Sequence, residues 1–277
     1  MAVELGTVAA IGFEAFPPRE WLGCFRRLGC KIVQAYRNQD IQISVQQMRE
    51  AIAAGEMPCD SLHGVFGEQF DPSAPEESAR RFAVDTYKAE GELALELGGS
   101  LVVVHCSTIR RQGIPAAERQ RRIEQLRKSI LELGKFGHKI NIQYAFENLP
   151  AYHPIGSDVA ELARILSELK APNTGMCFDA GHANMVSDPA EAVRCTNGQM
   201  IYIHLSDNSG QADEHEMPTY GTIDIEALAR SLHETNYDGT IMLEVFYSVD
   251  RLKRIIDEGC TERLKRFLAI VNGENDP

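Results

Sequence analysis

Short apolar runs alternate with longer segments of helical period along the whole chain. The runs are TVAAIGF (7–13), KIVQAY (31–36), CDSLH (59–63), SLVVVH (100–105), INIQYAFE (140–147), TGMCFD (174–179), MIYIH (200–204) and TIMLEVF (240–246). They are near-continuously apolar, as strands buried on both faces should be. Helical patterns fall between them at 19–28, 44–54, 75–97, 115–136, 157–169, 188–195 and 224–235, with a last one at 251–271. Ser73 and Ser157 read as helix starts; Gly29, Gly98 with Gly99, and Gly137 read as helix ends. Eight strands, each followed by a helix, predict an α/β fold: a (β/α)8 TIM barrel forming one domain over residues 1–277. An open doubly wound sheet is the competing arrangement. It is disfavoured because no GxGxxG or Walker-type glycine loop follows a strand.

The polar residues that close these runs carry the chemistry. His63, His105, Glu147, Asp179, His204 and Glu244 stand where successive strands are expected to end. In a closed barrel those ends ring one mouth, so residues distant in sequence converge. The loops beyond add His182, three residues after Asp179, and the D-x-H pair Asp213 and His215. Singly, each has an ordinary reading: a structural histidine, or a turn cap for Asp179 and Asp207. Together, ligand-type residues at six of eight strand ends argue for a metal site. A mixed imidazole and carboxylate set suits Zn, Mn, Fe or Co, one to three ions, better than Mg or Ca, which prefer all-oxygen shells. His138, His153 and His233 are expected off the mouth or on helices, structural or solvated. Phe66 is expected as a pocket wall or core residue. Arg37 and Arg110, near the ends of strands two and four, are candidates for a substrate phosphate or carboxylate.

Composition narrows the classes. Hydrophobic residues make up 44% and charged residues 25%, the proportions of a globular protein. A net charge of −12 gives no electrostatic reason to expect nucleic acid. The basic stretch from Arg110 to Lys128 reads mostly as a solvated helix face. No apolar run reaches the roughly 20 residues a membrane helix needs, and MAVELGTVAAIGF has no basic leader. Seven scattered cysteines without a CxxC pair suggest free thiols in a reducing, cytoplasmic setting. Cys59, Cys106 and Cys177 read as small buried hydrophobes.

The motifs FENLP, FDAGHAN, HLSDN followed by DEH, and TIMLEVF resemble the xylose isomerase-like (AP endonuclease family 2) TIM-barrel superfamily. That group contains sugar and sugar-phosphate isomerases and epimerases, inosose-type dehydratases and endonuclease IV. The resemblance implies a divalent metal held by Glu147, Asp179, His204 and Glu244, with the two glutamates doubling as an acid/base pair. It implies an isomerase, epimerase or related dehydratase acting on a small sugar, sugar phosphate or hydroxy-keto compound through an enediolate. His182 would hold a substrate oxygen or a further metal. The alternative is an endonuclease IV-like multi-zinc phosphodiester hydrolase, whose nine ligand types appear here in the same chain order. His63 and His105 would then share a metal with a bridging Glu147, and His182, Asp213 and His215 would hold a third. A barrel with a degenerate site, acting as a binding protein, is a third class. Departures are visible: Glu68 and Asp71 stand where a phosphate-binding rim is expected, and HLSDNSGQAD lacks the arginine many ketose epimerases carry there. Thr219 replaces the first glycine of the Pro-Gly-x-Gly-x-Ile-Asp rim, while Gly221 and Asp224 remain as a turn glycine and a helix cap. Barrels of this group often pair, so a homodimer is compatible with the resemblance.

Overall fold

The computed structural model describes residues 2–111 and 113–274. Met1, within the segment read for a leader, and Gln112, within the basic stretch, lie outside the described residues. Strands β1 (Glu4–Ile11), β2 (Ile32–Arg37), β3 (Cys59–His63), β4 (Leu101–His105), β5 (Gln143–Glu147), β6 (Thr174–Asp179), β7 (Met200–Leu205) and β8 (Thr240–Leu243) close into one barrel in sequence order. Every neighbouring pair is parallel, including β1 with β8. The outer layer comprises α1 (Pro18–Arg27), α2 (Val45–Ala54), α3 (Glu77–Glu96), α4 (Ala116–Ile140), α5 (Val159–Leu169), α6 (Ala180–Asn184), α7 (Pro189–Cys195), α8 (Ile225–Glu234), α9 (Val249–Asp257) and α10 (Cys260–Val271). The expected single-domain (β/α)8 barrel is therefore the fold. None of its helices, among the described residues, is long and apolar enough to cross a membrane.

The strands are buried on both faces because helices cover the outside and side-chain layers fill the inside. Val8, Val33, Leu62, Val102, Val104, Phe146, Phe178 and Leu243 are all fully buried. Each such aliphatic or aromatic side chain stabilises the barrel by roughly 1.5–3 kcal/mol relative to exposure. Cys59, Cys106 and Cys177 are buried among them, and all seven cysteines are free.

Several local expectations are corrected. Asp158, not Ser157, caps α5, accepting from the Glu161 backbone N–H. A carboxylate one position on captured the orphan donors, since either residue type serves. Ser73 caps no helix: its hydroxyl donates to Asp71, and α3 starts at Glu77. Gly29 and Gly98 do end helices, with φ of 101° and 93°. Gly137 does not; α4 runs on to Ile140 and ends at Asn141 in the left-handed region. A Cβ on Gly137 would stand 2.4 Å from the Ile142 carbonyl oxygen, so this glycine permits close packing rather than a turn. The last helical segment is split in two at Gly259, whose φ is 82°. FDAGHAN, expected as loop, contains the short helix α6.

Candidate metal centre

Four of the six strand-end residues close their strands as expected: His63, His105, Glu147 and Asp179 end β3, β4, β5 and β6. Asp179 also caps α6, accepting from the His182 N–H at 2.6 Å. His204 lies one residue inside the end of β7, and Glu244 follows β8 directly. The barrel brings Glu147, Asp179, His204 and Glu244 together, one ligand atom from each lying within 4.8 Å of the others. All four are at most 4% exposed. His204 Nδ1 is 2.8 Å from Glu147 Oε1, 3.1 Å from Glu244 Oε2 and 4.0 Å from Asp179 Oδ2.

A second group, His63, His105 and Glu147, lies beside the first and shares Glu147. His105 Nε2 is 3.1 Å and His63 Nε2 is 3.9 Å from Glu147 Oε2. His63 Nδ1 faces the Gly64 carbonyl at 2.9 Å, which leaves Nε2 toward the carboxylate. The third expected set is at the same rim but does not close into such a group among the described residues. Asp213 bridges its two histidines, at 3.3 Å from His182 Nε2 and 3.5 Å from His215 Nε2. Cys177 lies against Glu147 and His204, but burial pushes its thiol up to about 12, so it is present as the thiol.

The electrostatics are those of a place built for positive charge. Burial raises the Asp179 pKa, and Glu147 and Glu244 add to the rise, while burial holds His63 down at about 4 and hence neutral. Burial opposes the charged ring of His204, yet Cys177, Glu244 and Glu147 beside it outweigh burial and raise its pKa well above the usual value. His182 rises in the same way, to about 10, beside Asp179 and Asp213. Even so, buried oxygens of Glu147, Asp179, Glu244 and Asp213 accept no well-formed hydrogen bond among the described residues. Buried carboxylate oxygens left without donors are costly. The donor set and these orphaned atoms fit one divalent cation at the four-residue group, with His63 and His105 offering a second place beside it.

Around this floor the mouth is aromatic. Phe66 lies parallel to His105, ring centroids 5.2 Å apart, and edge-on to His63 at 5.6 Å, the wall role expected for it. Tyr36 and Phe246 continue the wall. One cavity of 450 Å³ is lined by Phe13, Tyr36, Arg37 and Phe66; another, of 350 Å³, by Phe66, Glu68, His105, Thr108, Arg110 and His153. Arg37 pairs with Glu90 at 2.6 Å through Nη2, while its buried Nη1 makes no hydrogen bond among the described residues. Arg110 is exposed and sits over Tyr152 at 5.6 Å. His153 overturns its expected place: it lies in the loop after β5, is 4% exposed and lines the cavity beside His105. The signal was available, because every loop after a strand lies at the mouth. His138 and His233 do sit on helices, on Asn173 and the Val271 carbonyl respectively.

Asp207 organises the loop after β7. It is fully buried and accepts from the backbone N–H groups of Thr219, Gly221 and Ile223 at 3.0–3.1 Å. Only glycine fits at 221, where a Cβ would fall 2.2 Å from the Asp207 carboxylate. Asp224 caps α8, as expected. One residue escaped the sequence reading altogether: Gln34, fully buried within β2, whose Oε1 lies 3.0 Å from His204 Nε2. Its signal was a polar side chain in the middle of KIVQAY.

Comparison with known proteins agrees with the barrel. An uncharacterized protein of Methanocaldococcus jannaschii is 28% identical over 215 residues, covering 76% of this chain and 70% of its own. Among solved structures, a D-tagatose 3-epimerase-like protein superposes with a TM-score of 0.75 at 22% identity, covering 98% of this chain and 99% of that one. The 3-keto-D-glucoside 4-epimerase of E. coli gives 0.74 at 16% identity, over 96% and 98% of the two chains. The family described as xylose isomerase-like TIM barrel matches residues 6–266, so the chain belongs to that family.

Proposed function

We propose that this barrel is a divalent-metal-dependent isomerase or epimerase of a small sugar, sugar phosphate or hydroxy-keto compound. Dehydration is a close variant beginning with the same proton abstraction. The observation that carries the reading is the convergence of Glu147, Asp179, His204 and Glu244, with buried carboxylate oxygens that accept no well-formed hydrogen bond among the described residues. The structural likeness to proteins titled as carbohydrate epimerases supports the substrate class. A cation held by those four residues supplies Lewis-acid stabilisation of the charge that develops on substrate oxygens. Glu147 ends β5 and Glu244 follows β8, so they reach the centre from separate sides of the barrel. That placement lets one remove a proton from a substrate carbon while the other returns it on the opposite face. His182 keeps Nδ1 on the Asn148 carbonyl and turns Nε2 toward Asp213 at the rim, where a substrate oxygen would take the place of Asp213 as its acceptor. Phe66, Tyr36 and Phe246 restrict water at the reacting carbon.

The group His63, His105 and Glu147 favours a second reading, phosphoester hydrolysis by a cluster sharing Glu147. Glu68 on the cavity beside it is a poor neighbour for phosphate. A panel of ketoses, inososes and their phosphates, tested with metal-loaded protein in deuterated water, separates the two. The isomerase reading expects deuterium at the substrate carbon, and a loss of about 10²–10⁴-fold in exchange for Glu244→Gln. Turnover of the glutamine variant at the wild-type rate would remove Glu244 from the acid/base pair.

A further inference from the structure

We infer that Gln34 is a positioning residue that sets which nitrogen of His204 is offered to a cation; the inference rests on the metal reading above. His204 has two ring nitrogens in different surroundings. Nδ1 faces the carboxylates of Glu147, Glu244 and Asp179, and Nε2 faces Gln34 Oε1, at 3.0 Å. A ligating imidazole presents a bare lone pair on one nitrogen and donates N–H from the other. Gln34 can accept that N–H only if its amide is turned with the oxygen toward the ring.

A chain of hydrogen bonds across the barrel fixes this turn. Gln34 Nε2 donates to Ser61 Oγ at 3.3 Å. Ser61 Oγ also lies 2.5 Å from Tyr202 Oη; whether its proton goes to Asp60 Oδ1, at 2.7 Å, or to Tyr202, which passes its own to Asp60, Ser61 is left free to accept from Gln34. Asp60, as a carboxylate, only accepts, and it also receives Tyr202 at 3.0 Å and Thr240 at 2.8 Å. The polarity therefore runs one way: donors point toward Asp60, the Gln34 oxygen is left facing His204 and holds N–H on Nε2, and Nδ1, on the side of the carboxylates, is the nitrogen whose proton a cation would displace. Strand register makes the chain possible. Gln34 and Ser61 are paired on β2 and β3, directly after a shift that skips Asp60. Such a shift re-aims a side chain, and Asp60 reaches Tyr202 on β7 and Thr240 on β8.

The test compares Gln34→Leu, which removes the acceptor, with Gln34→Glu, which keeps one. Metal affinity is measured by competition with a chelator, and the visible spectrum of the cobalt(II)-loaded protein reports ligand geometry. The leucine variant is expected to lose about 10–100-fold in affinity and to change the cobalt spectrum. The glutamate variant should stay within a few-fold of wild type with an unchanged spectrum. Ser61→Ala, which frees the amide to turn without altering Gln34, should show a smaller loss of the same kind and serves where the leucine variant does not fold. Wild-type affinity and spectrum in Gln34→Leu would overturn the inference, as would equal losses in the leucine and glutamate variants. A wild-type protein that takes up no cation would instead remove the metal reading, and this inference with it.

Discussion

At the scale of single residues, the loop after β7 shows a backbone under strain. Thr219 has φ of 79°, which a β-branched residue rarely adopts. Its N–H is held by Asp207, and the loop is pinned before it at Glu216 and after it at Gly221, so the conformation is imposed. A left-handed conformation costs an L-residue roughly 1–2 kcal/mol, while glycine adds about 0.5–1 kcal/mol of chain entropy to lose on folding. The first term wins, and the Thr219 side chain is exposed with little packing to forfeit. Thr219→Gly should therefore stabilise the protein by about 0.5–1 kcal/mol, read from denaturant midpoints; an unchanged or lower midpoint would mean that the strain is relieved elsewhere. Residues at strand ends were legible for a simple reason. A histidine or carboxylate closing an apolar run stands out, and the barrel gives every such position the same address. Gln34 and Asp60 were not legible, because a polar residue inside a buried strand has no partner until the strands across the barrel are known. His153 was misplaced for want of one step, recognising that six residues past Glu147 is still the mouth.

At the scale of elements, the strands and the helix order followed from hydrophobic period, and the errors gathered where glycine or serine chemistry has more than one use. Gly137 illustrates this. Within α4 an alanine would gain about 1 kcal/mol of helix propensity over glycine. The space is already filled, however, by the Ile142 carbonyl and the ring of Tyr144, at 2.4 and 3.2 Å from the added carbon. Forcing backbone aside typically costs about 1–3 kcal/mol or more. Gly137→Ala is thus expected to lower stability despite its helix propensity. A rise in the melting temperature would show that α4 can lift from the start of β5 at no cost. Helix ends such as Gly29 were legible because the positive φ there has no competing explanation in packing.

At the scale of the whole molecule, the barrel concentrates buried negative charge at its mouth and leaves oxygens of Glu147, Asp179, Glu244 and Asp213 without a well-formed hydrogen bond among the described residues. Imidazolium protons on His204 and His182 offset part of that charge. A cation that binds only the folded state offsets more and stabilises by mass action, by about 2.7 kcal/mol at a hundred times its dissociation constant. For a chain of this size that corresponds to a rise of roughly 5 °C in melting temperature on adding Zn, Mn or Co after chelator treatment. The most direct measurement is elemental analysis of protein purified without chelator. The account predicts at least one transition-metal ion retained per chain, lost when Asp179 and His204 are replaced together. Folded wild-type protein that holds no metal, and takes none up when it is offered, would contradict it.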